Sequence, residues 1–429
     1  MSTIAEVSLW GSRIGAVHLK PKEPFASFQY DPDFQRSSLQ VAPLTMPLSA
    51  KVYRFPSLAP ASFHGLPGLL ADCLPDKFGN ALIDAWLVGQ GRAPSSFTAL
   101  ERLCYLGSRG MGALEFHPAQ GPSPVNEALQ IGELVSLASA ILQQRRDKIA
   151  NLESFDSPGS IKHILQVGTS AGGARAKAVI AWNPQSRELR SGQLQLPEGF
   201  QHWLIKFDGV AGNKDKENED PKHFGSLEYA YFLMARSAGI TMSPCQILAE
   251  NGRRHFMTRR FDRGVQGKIH MQSLAAIAHY DFNMAGAYSY EQAMSVIKQL
   301  ALPASDREEF YRRTIFNIVC RNQDDHVKNI AFLMDRRGNW RLSPAFDMTY
   351  SYNPAGQWTS SHQMSLAGKR DNFTLDDLKS LESHASLPKG RWKDLYHQVC
   401  SAARQWDEFA TQAEVPQFLK QEVANHLRL

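Results

Sequence analysis

Asp324, Asn329 and Asp347 are of the residue types that phosphoryl transfer from ATP requires. Asp324 and Asn329 lie in Arg321-Asn-Gln-Asp-Asp-His-Val-Lys-Asn329, and Asp347 closes Ser343-Pro-Ala-Phe-Asp347. One carboxylate takes the proton of an attacking hydroxyl, while an amide oxygen and a second carboxylate hold Mg²⁺ on the phosphates. Asp324 is the candidate base, and Asn329 and Asp347 are the candidate metal ligands. Lys328 is placed to neutralise charge on the transferring group. Asp325 and His326 could instead suggest zinc, but no second histidine stands at ligand spacing, so they are expected to shape the loop.

Nucleotide chemistry also needs a cation on the phosphates and a backbone that can wrap them. Lys206 sits in the alternating run Gln201-His-Trp-Leu-Ile-Lys-Phe207, and Glu228 in the next helix is its expected ion-pair partner. The alternative for Lys206 is a lysine snorkelling from a strand edge. Gly168-Thr-Ser-Ala-Gly-Gly173 can cradle phosphates on its N–H groups, through Gly168, Ser170, Gly172 and Gly173. It matches neither the Walker A nor the dinucleotide-binding spacing, and a flexible connecting turn remains the other reading. Lys177, just beyond it, is expected on the surface. Arg259-Arg-Phe-Asp-Arg263 is read as an ion-paired segment in preference to a nucleic-acid patch.

The elements that must bring these groups together follow from local pattern. Ile330–Met334 and Trp340–Leu342 predict a hairpin around the turn Asp335–Asn339, which would place Asn329 near Asp347. Ser226 is expected to cap a helix running through Ala238, with Glu228 in its first turn. Gln246–Ala249 and His255–Thr258 predict strands, and 209–225 a polar, mobile loop. Upstream, Val7–Trp10, Ala16–Leu19 and Phe25–Tyr30 alternate as strands. Residues 66–90 and 97–106 read as helical and Met111–Phe116 as a strand. A helix over about 126–150 follows the proline-rich linker 117–124. From about 270 the chain is mostly helical. Domains are therefore expected at 1–117, 118–258 and 259–429.

The composition fits this picture. The chain has 429 residues, 43% of them hydrophobic and 21% charged, with a net charge of +5. That charge permits contact with acidic partners without implying any. Five scattered cysteines form no C-x-x-C pair, so free thiols in a reducing compartment are expected. The first residues lack a signal-peptide pattern and no apolar run is long enough for a membrane helix. A cytoplasmic protein is expected.

Taken together, these motifs resemble the HipA family, the kinase toxins of type II toxin–antitoxin pairs. Its resemblance extends to Leu9-Trp-Gly-Ser-Arg-Ile-Gly15, Leu74-Pro-Asp76, Gly107-Ser-Arg-Gly-Met-Gly-Ala113 and Arg260-Phe-Asp-Arg263. It implies an α+β, two-lobed protein-kinase-like fold with an N-terminal β-rich subdomain and a mostly helical C-lobe. It also implies ATP and Mg²⁺ as cofactors, with Lys206 on ATP, Asp324 as base, and Asn329 and Asp347 on the metal. Ser170, with Thr169 beside it, occupies the place of the family's autophosphorylated serine. A small helix-turn-helix antitoxin (HipB-like) is the implied partner and supplies contact with DNA. The implied substrate is a translation component such as an aminoacyl-tRNA synthetase. The other class of reading is a kinase-shaped corepressor that scaffolds the antitoxin on DNA with little activity.

Overall fold

The computed structural model describes residues 3–121, 128–143, 164–165, 167–168, 175–192, 196–210, 214–215, 218–219 and 222–429. Thr169, Ser170, Gly172 and Gly173 lie outside the described residues, as does most of the polar segment 211–221.

Alternating apolar residues build a four-stranded antiparallel sheet from the first part of the chain, in the order Ser27–Tyr30, Ser12–His18, Ile4–Leu9, Leu114–His117. Val7, Leu9, Ile14, Val17 and Phe28 all turn to one side and are buried. Each such burial stabilises by roughly 1.5–3 kcal/mol. Their core is continuous with that of the helical region, through Leu274, Ile277, Met334 and Trp340. The first domain is thus fused to the third.

Polar contacts pin the same seam. Asp72 accepts from the Ser273 amide and hydroxyl, both at 2.7 Å, and the Trp10 indole donates to the Lys268 carbonyl at 2.8 Å. Gly68 donates its N–H to His279 Nε2 at 3.1 Å. A Cβ there would stand 2.3 Å from the Ala276 carbonyl oxygen, so this approach requires glycine.

The second unit is a five-stranded antiparallel sheet ordered Cys245–Glu250, Arg253–Arg259, Gln201–Lys206, Lys177–Asn183, Glu188–Ser191. The helix Lys77–Gly89, from the first domain, crosses its inner face. Its Phe78 and Leu82 join the sheet's core with Leu134, Ile180 and Ile205. Gly168 packs where a Cβ would meet Leu82 at 2.6 Å. The first domain therefore buttresses both other units. The helix expected over about 126–150 is described as Ile131–Leu142.

One expected cap is corrected. The helix begins at Phe224 and ends at Ser237, with His223 at its N-cap in a left-handed conformation (φ 80°). Ser226 lies inside it and accepts from Arg254 Nε at 2.8 Å. Glu228 consequently falls in the second turn, one turn deeper than the spacing predicts.

The Arg260-Phe-Asp-Arg263 segment is an ion-paired joint. Buried Asp262 binds Arg260 at 2.6 Å and Arg263 at 2.7 Å, and accepts the Gly112 N–H at 2.8 Å. Arg263 also donates to the Gly110 and Gly112 carbonyls. Burial alone would raise the Asp262 pKa, but the two guanidiniums hold it far below the carboxylate range. Asp262→Ala would leave two buried cations facing each other. We expect it to cost about 3–5 kcal/mol in denaturant unfolding.

Buried and half-buried histidines set the acid limit of the fold. Burial lowers His202, His270 and His279 each to about 4, from 6.5. On acidification the unfolded chain takes these protons first, so their contribution is complete above pH 6.5 and is lost as pH falls towards 4. Asp76 and Glu228, both raised by burial, act in the opposite sense. His64 and His255, also lowered chiefly by burial, add to the histidine side, so stability should fall as pH drops below 6.5. Urea midpoints at pH 7.5, 6 and 5 should decline through the lower two values.

Candidate active site

The ladder places Lys206 at the inner end of its strand, opposite Phe256 on one neighbour and Lys177 on the other. Trp203 and Ile205 point into the sheet's core, so Lys206 is turned to the opposite face. There its ammonium binds Glu228 at 2.6 Å and also Asp347. Burial opposes charge on Lys206, yet the two carboxylates outweigh it and its pKa rises. Burial likewise works against an ionised Asp347, but Lys206, then Lys177, hold it down to about 2. Glu228, the most deeply buried of the three, is shifted upward by that burial. The snorkelling alternative for Lys206 is set aside by this geometry.

Asp347 reaches Lys206 because of the hairpin. Ala331–Met334 pairs with Trp340–Leu342, Phe332 opposite Leu342 and Met334 opposite Trp340. Asp335 closes the turn by accepting from the Arg337 and Asn339 amides at 2.8 and 3.0 Å. Past the hairpin, Ala345 donates to the Thr241 carbonyl, and Asp347 takes a left-handed backbone (φ 52°). Such a conformation is costly for a non-glycine residue, and here it turns the carboxylate towards the lysine.

At the other end of the hairpin, the Asn329 side-chain amide donates to the Asp324 carbonyl oxygen at 2.9 Å. This commits its nitrogen and turns its oxygen the other way. Asp325 is fully tied into the loop: it accepts from Gln363 N at 2.7 Å, His362 Nδ1 at 2.8 Å and the Tyr290 hydroxyl. Burial tends to raise its pKa, but these partners lower it on balance. It is scaffold, as expected. His326 Nε2 lies 3.8 Å from Asp324 Oδ1. Among the described residues no cluster of three metal-ligating side chains occurs. The Lys328 ammonium rests 4.7 Å from the Phe282 ring centre, half-buried beside the first domain.

Lys177 corrects a second expectation. It is 2% exposed, lies beside Lys206 in register, and pairs with Asp76 at 3.6 Å. Asp76 caps the helix Lys77–Gly89 by accepting from Gly79 at 2.6 Å, and burial pushes it up to about 6. The first domain thereby places a carboxylate beside the two lysines. The Leu74-Pro-Asp76 motif marked the position, but nothing in its spacing named Lys177 as the partner. Trp358 was likewise missed: its indole N–H donates to Asp324 Oδ1 at 2.7 Å.

These features define a mixed α/β fold of a sheet-based lobe over a helical one, with its polar cluster between them. The HipA N-terminal domain profile matches residues 5–117 and the HipA-like C-terminal domain profile residues 169–406. The chain belongs to the HipA family. The fold resembles that of HipA in the Shewanella oneidensis MR-1 complex of HipA, HipB and operator DNA, with TM-score 0.66 and 15% identity, over 98% of this chain and 94% of that one. Two Sinorhizobium fredii (strain NBRC 101917 / NGR234) proteins are also similar. "Putative kinase Y4mE" is 25% identical over 71% of this chain and 68% of its own length. "Putative kinase Y4dM" is 24% identical over 47% of this chain and half of its own length. Among the described residues no helix is long and apolar enough to cross a membrane, and all five cysteines are free.

Proposed function

We propose that this protein is an ATP- and Mg²⁺-dependent protein serine/threonine kinase, the toxin of a pair whose antitoxin is a HipB-like helix-turn-helix protein. The observation that carries the reading is Lys206 bound at once to Glu228 and Asp347, with Asp324 and Asn329 at the other end of the same hairpin. A buried lysine so paired is positioned to orient nucleotide phosphates, and Asp324 to accept the hydroxyl proton. Asn329 and Asp347 would hold Mg²⁺, which supplies charge neutralisation on the phosphates when bound. Lys328 leaves the Phe282 face to reach the transferring phosphoryl.

The substrate class is a translation component such as an aminoacyl-tRNA synthetase, in a reducing, cytoplasmic compartment. Autophosphorylation falls on Ser170 or Thr169, where the added charge repels ATP and switches the enzyme off. DNA is reached through the antitoxin, by analogy with the Shewanella oneidensis assembly. The corepressor reading has less support, because the lysine, base and metal-binding positions are all filled by competent residues. The test is transfer of γ-labelled phosphate from ATP to the protein itself or to an acceptor. Transfer should vanish in Asp324→Ala and Asp347→Ala, and undiminished transfer in both would overturn the reading.

A further inference from the structure

Asp324 is held by a residue that lies outside every motif considered so far. Trp358 sits in the segment between Asp347 and the helix Leu375–Ala385. That segment clasps the catalytic loop at several points. Ser351 donates to the Arg321 carbonyl at 3.0 Å, and Asn322 and Ser351 form a parallel bridge. Gln363 N and His362 Nδ1 meet the two oxygens of Asp325. The Gln363 side-chain amide in turn donates to the Trp358 carbonyl. A tight turn precedes the tryptophan, with Gly356 donating to Asn353 O at 3.0 Å and Asn353 to Thr359 O at 3.3 Å.

The backbone of Trp358 is therefore wired, through Gln363, to the buried Asp325 beside the base. Its indole N–H reaches Asp324 Oδ1 at 2.7 Å as the outcome of that bracing. Indole nitrogen can only donate, so this contact fixes one orientation of the Asp324 carboxylate.

Resting on the kinase reading above, we propose that Trp358 is the positioning residue for the base, keeping the Asp324 carboxylate aimed at the acceptor hydroxyl. It acts through Asp324 and takes no part in the proton transfer itself.

Trp358→Phe keeps the ring and removes the donor. Label transfer from γ-labelled ATP to the protein itself and to dephosphorylated casein is measured as separate kcat and KM values, with Asp324→Ala as a control. The expected result is a fall in kcat of roughly 10-fold with KM for ATP unchanged, as misaiming of a base would give. The thermal midpoint should stay near wild type. Wild-type kcat in Trp358→Phe, or a change confined to KM, would overturn the proposal alone. A raised kcat would also overturn it, because the tryptophan would then be a block. Absence of transfer by the wild type, or its persistence in Asp324→Ala, would remove the kinase reading and this proposal with it.

Discussion

Asp324→Asn should lower phosphoryl transfer by roughly 10²- to 10⁴-fold, the span a positioned general base contributes. The exchange is isosteric, and the asparagine oxygen can still accept from the Trp358 indole, so the loop keeps its shape. The Asp324 side chain is 23% exposed and is not part of the core, so the unfolding midpoint should change little. Nucleotide affinity should be nearly unaltered, because the groups proposed to hold ATP are Lys206 and the glycine-rich loop. A variant that binds ATP normally and fails to transfer is the signature. A parallel loss of ATP binding would show that Asp324 shapes the nucleotide site and is not the base. Single-turnover transfer and nucleotide titration separate the two outcomes.

Lys206→Met should be damaging in two distinct ways. Transfer should be lost with the cation proposed to orient the phosphates, and the fold should lose about 3–5 kcal/mol, because Glu228 and Asp347 are left without their shared counter-charge. Glu228 is the more severe problem, with its side chain 4% exposed. Its pKa is already raised by burial, and without Lys206 it should rise further. The sign of the pH effect follows: a group more easily protonated in the folded state favours folding as pH falls. The deficit of Lys206→Met relative to wild type should therefore shrink on acidification below neutral pH. Lys206→Met with Glu228→Gln should recover most of the stability and none of the transfer. Equal stability of the single and double variants would mean that the buried pair is not the source of the loss. Urea unfolding at two pH values, alongside label transfer, decides it.

Much of this site was legible in the linear chain because phosphoryl transfer constrains residue type and order. Asp324, Asn329 and Asp347 are joined by a hairpin whose turn, Asp335–Asn339, is written in short-range chemistry. Lys206 stood out because a strand alternates: with Trp203 and Ile205 inward, the lysine had to face the other way. The ion-paired nature of Arg260–Arg263 was also readable, since an aspartate among arginines supplies its own counter-charge.

Other features depended on contacts that no local pattern encodes. Ser226 looked like an N-cap by type, yet the helix starts earlier, at Phe224, and the serine is used by Arg254. Lys177 followed a glycine-rich run and read as a surface residue. It is buried because the helix Lys77–Gly89, almost a hundred residues upstream, delivers Asp76 to it. Trp358 reaches Asp324 only because Asp325 captures His362 and Gln363 from the same distant segment.

The sequence by itself determined the groups available: a candidate base, an amide and a carboxylate proposed for a metal, and a strand lysine with an acidic helix, in the order of a kinase-like fold. These are properties of residue type and of periods of two and about three and a half residues, which are local. The tertiary structure alone decided which charges are buried together and which side chains hold the base. Burial and pairing energies depend on groups brought close from anywhere in the chain. The stretch from Arg321 to Asn329 thus carries its reagents in sequence, while Asp76 and Trp358 join them only through the fold.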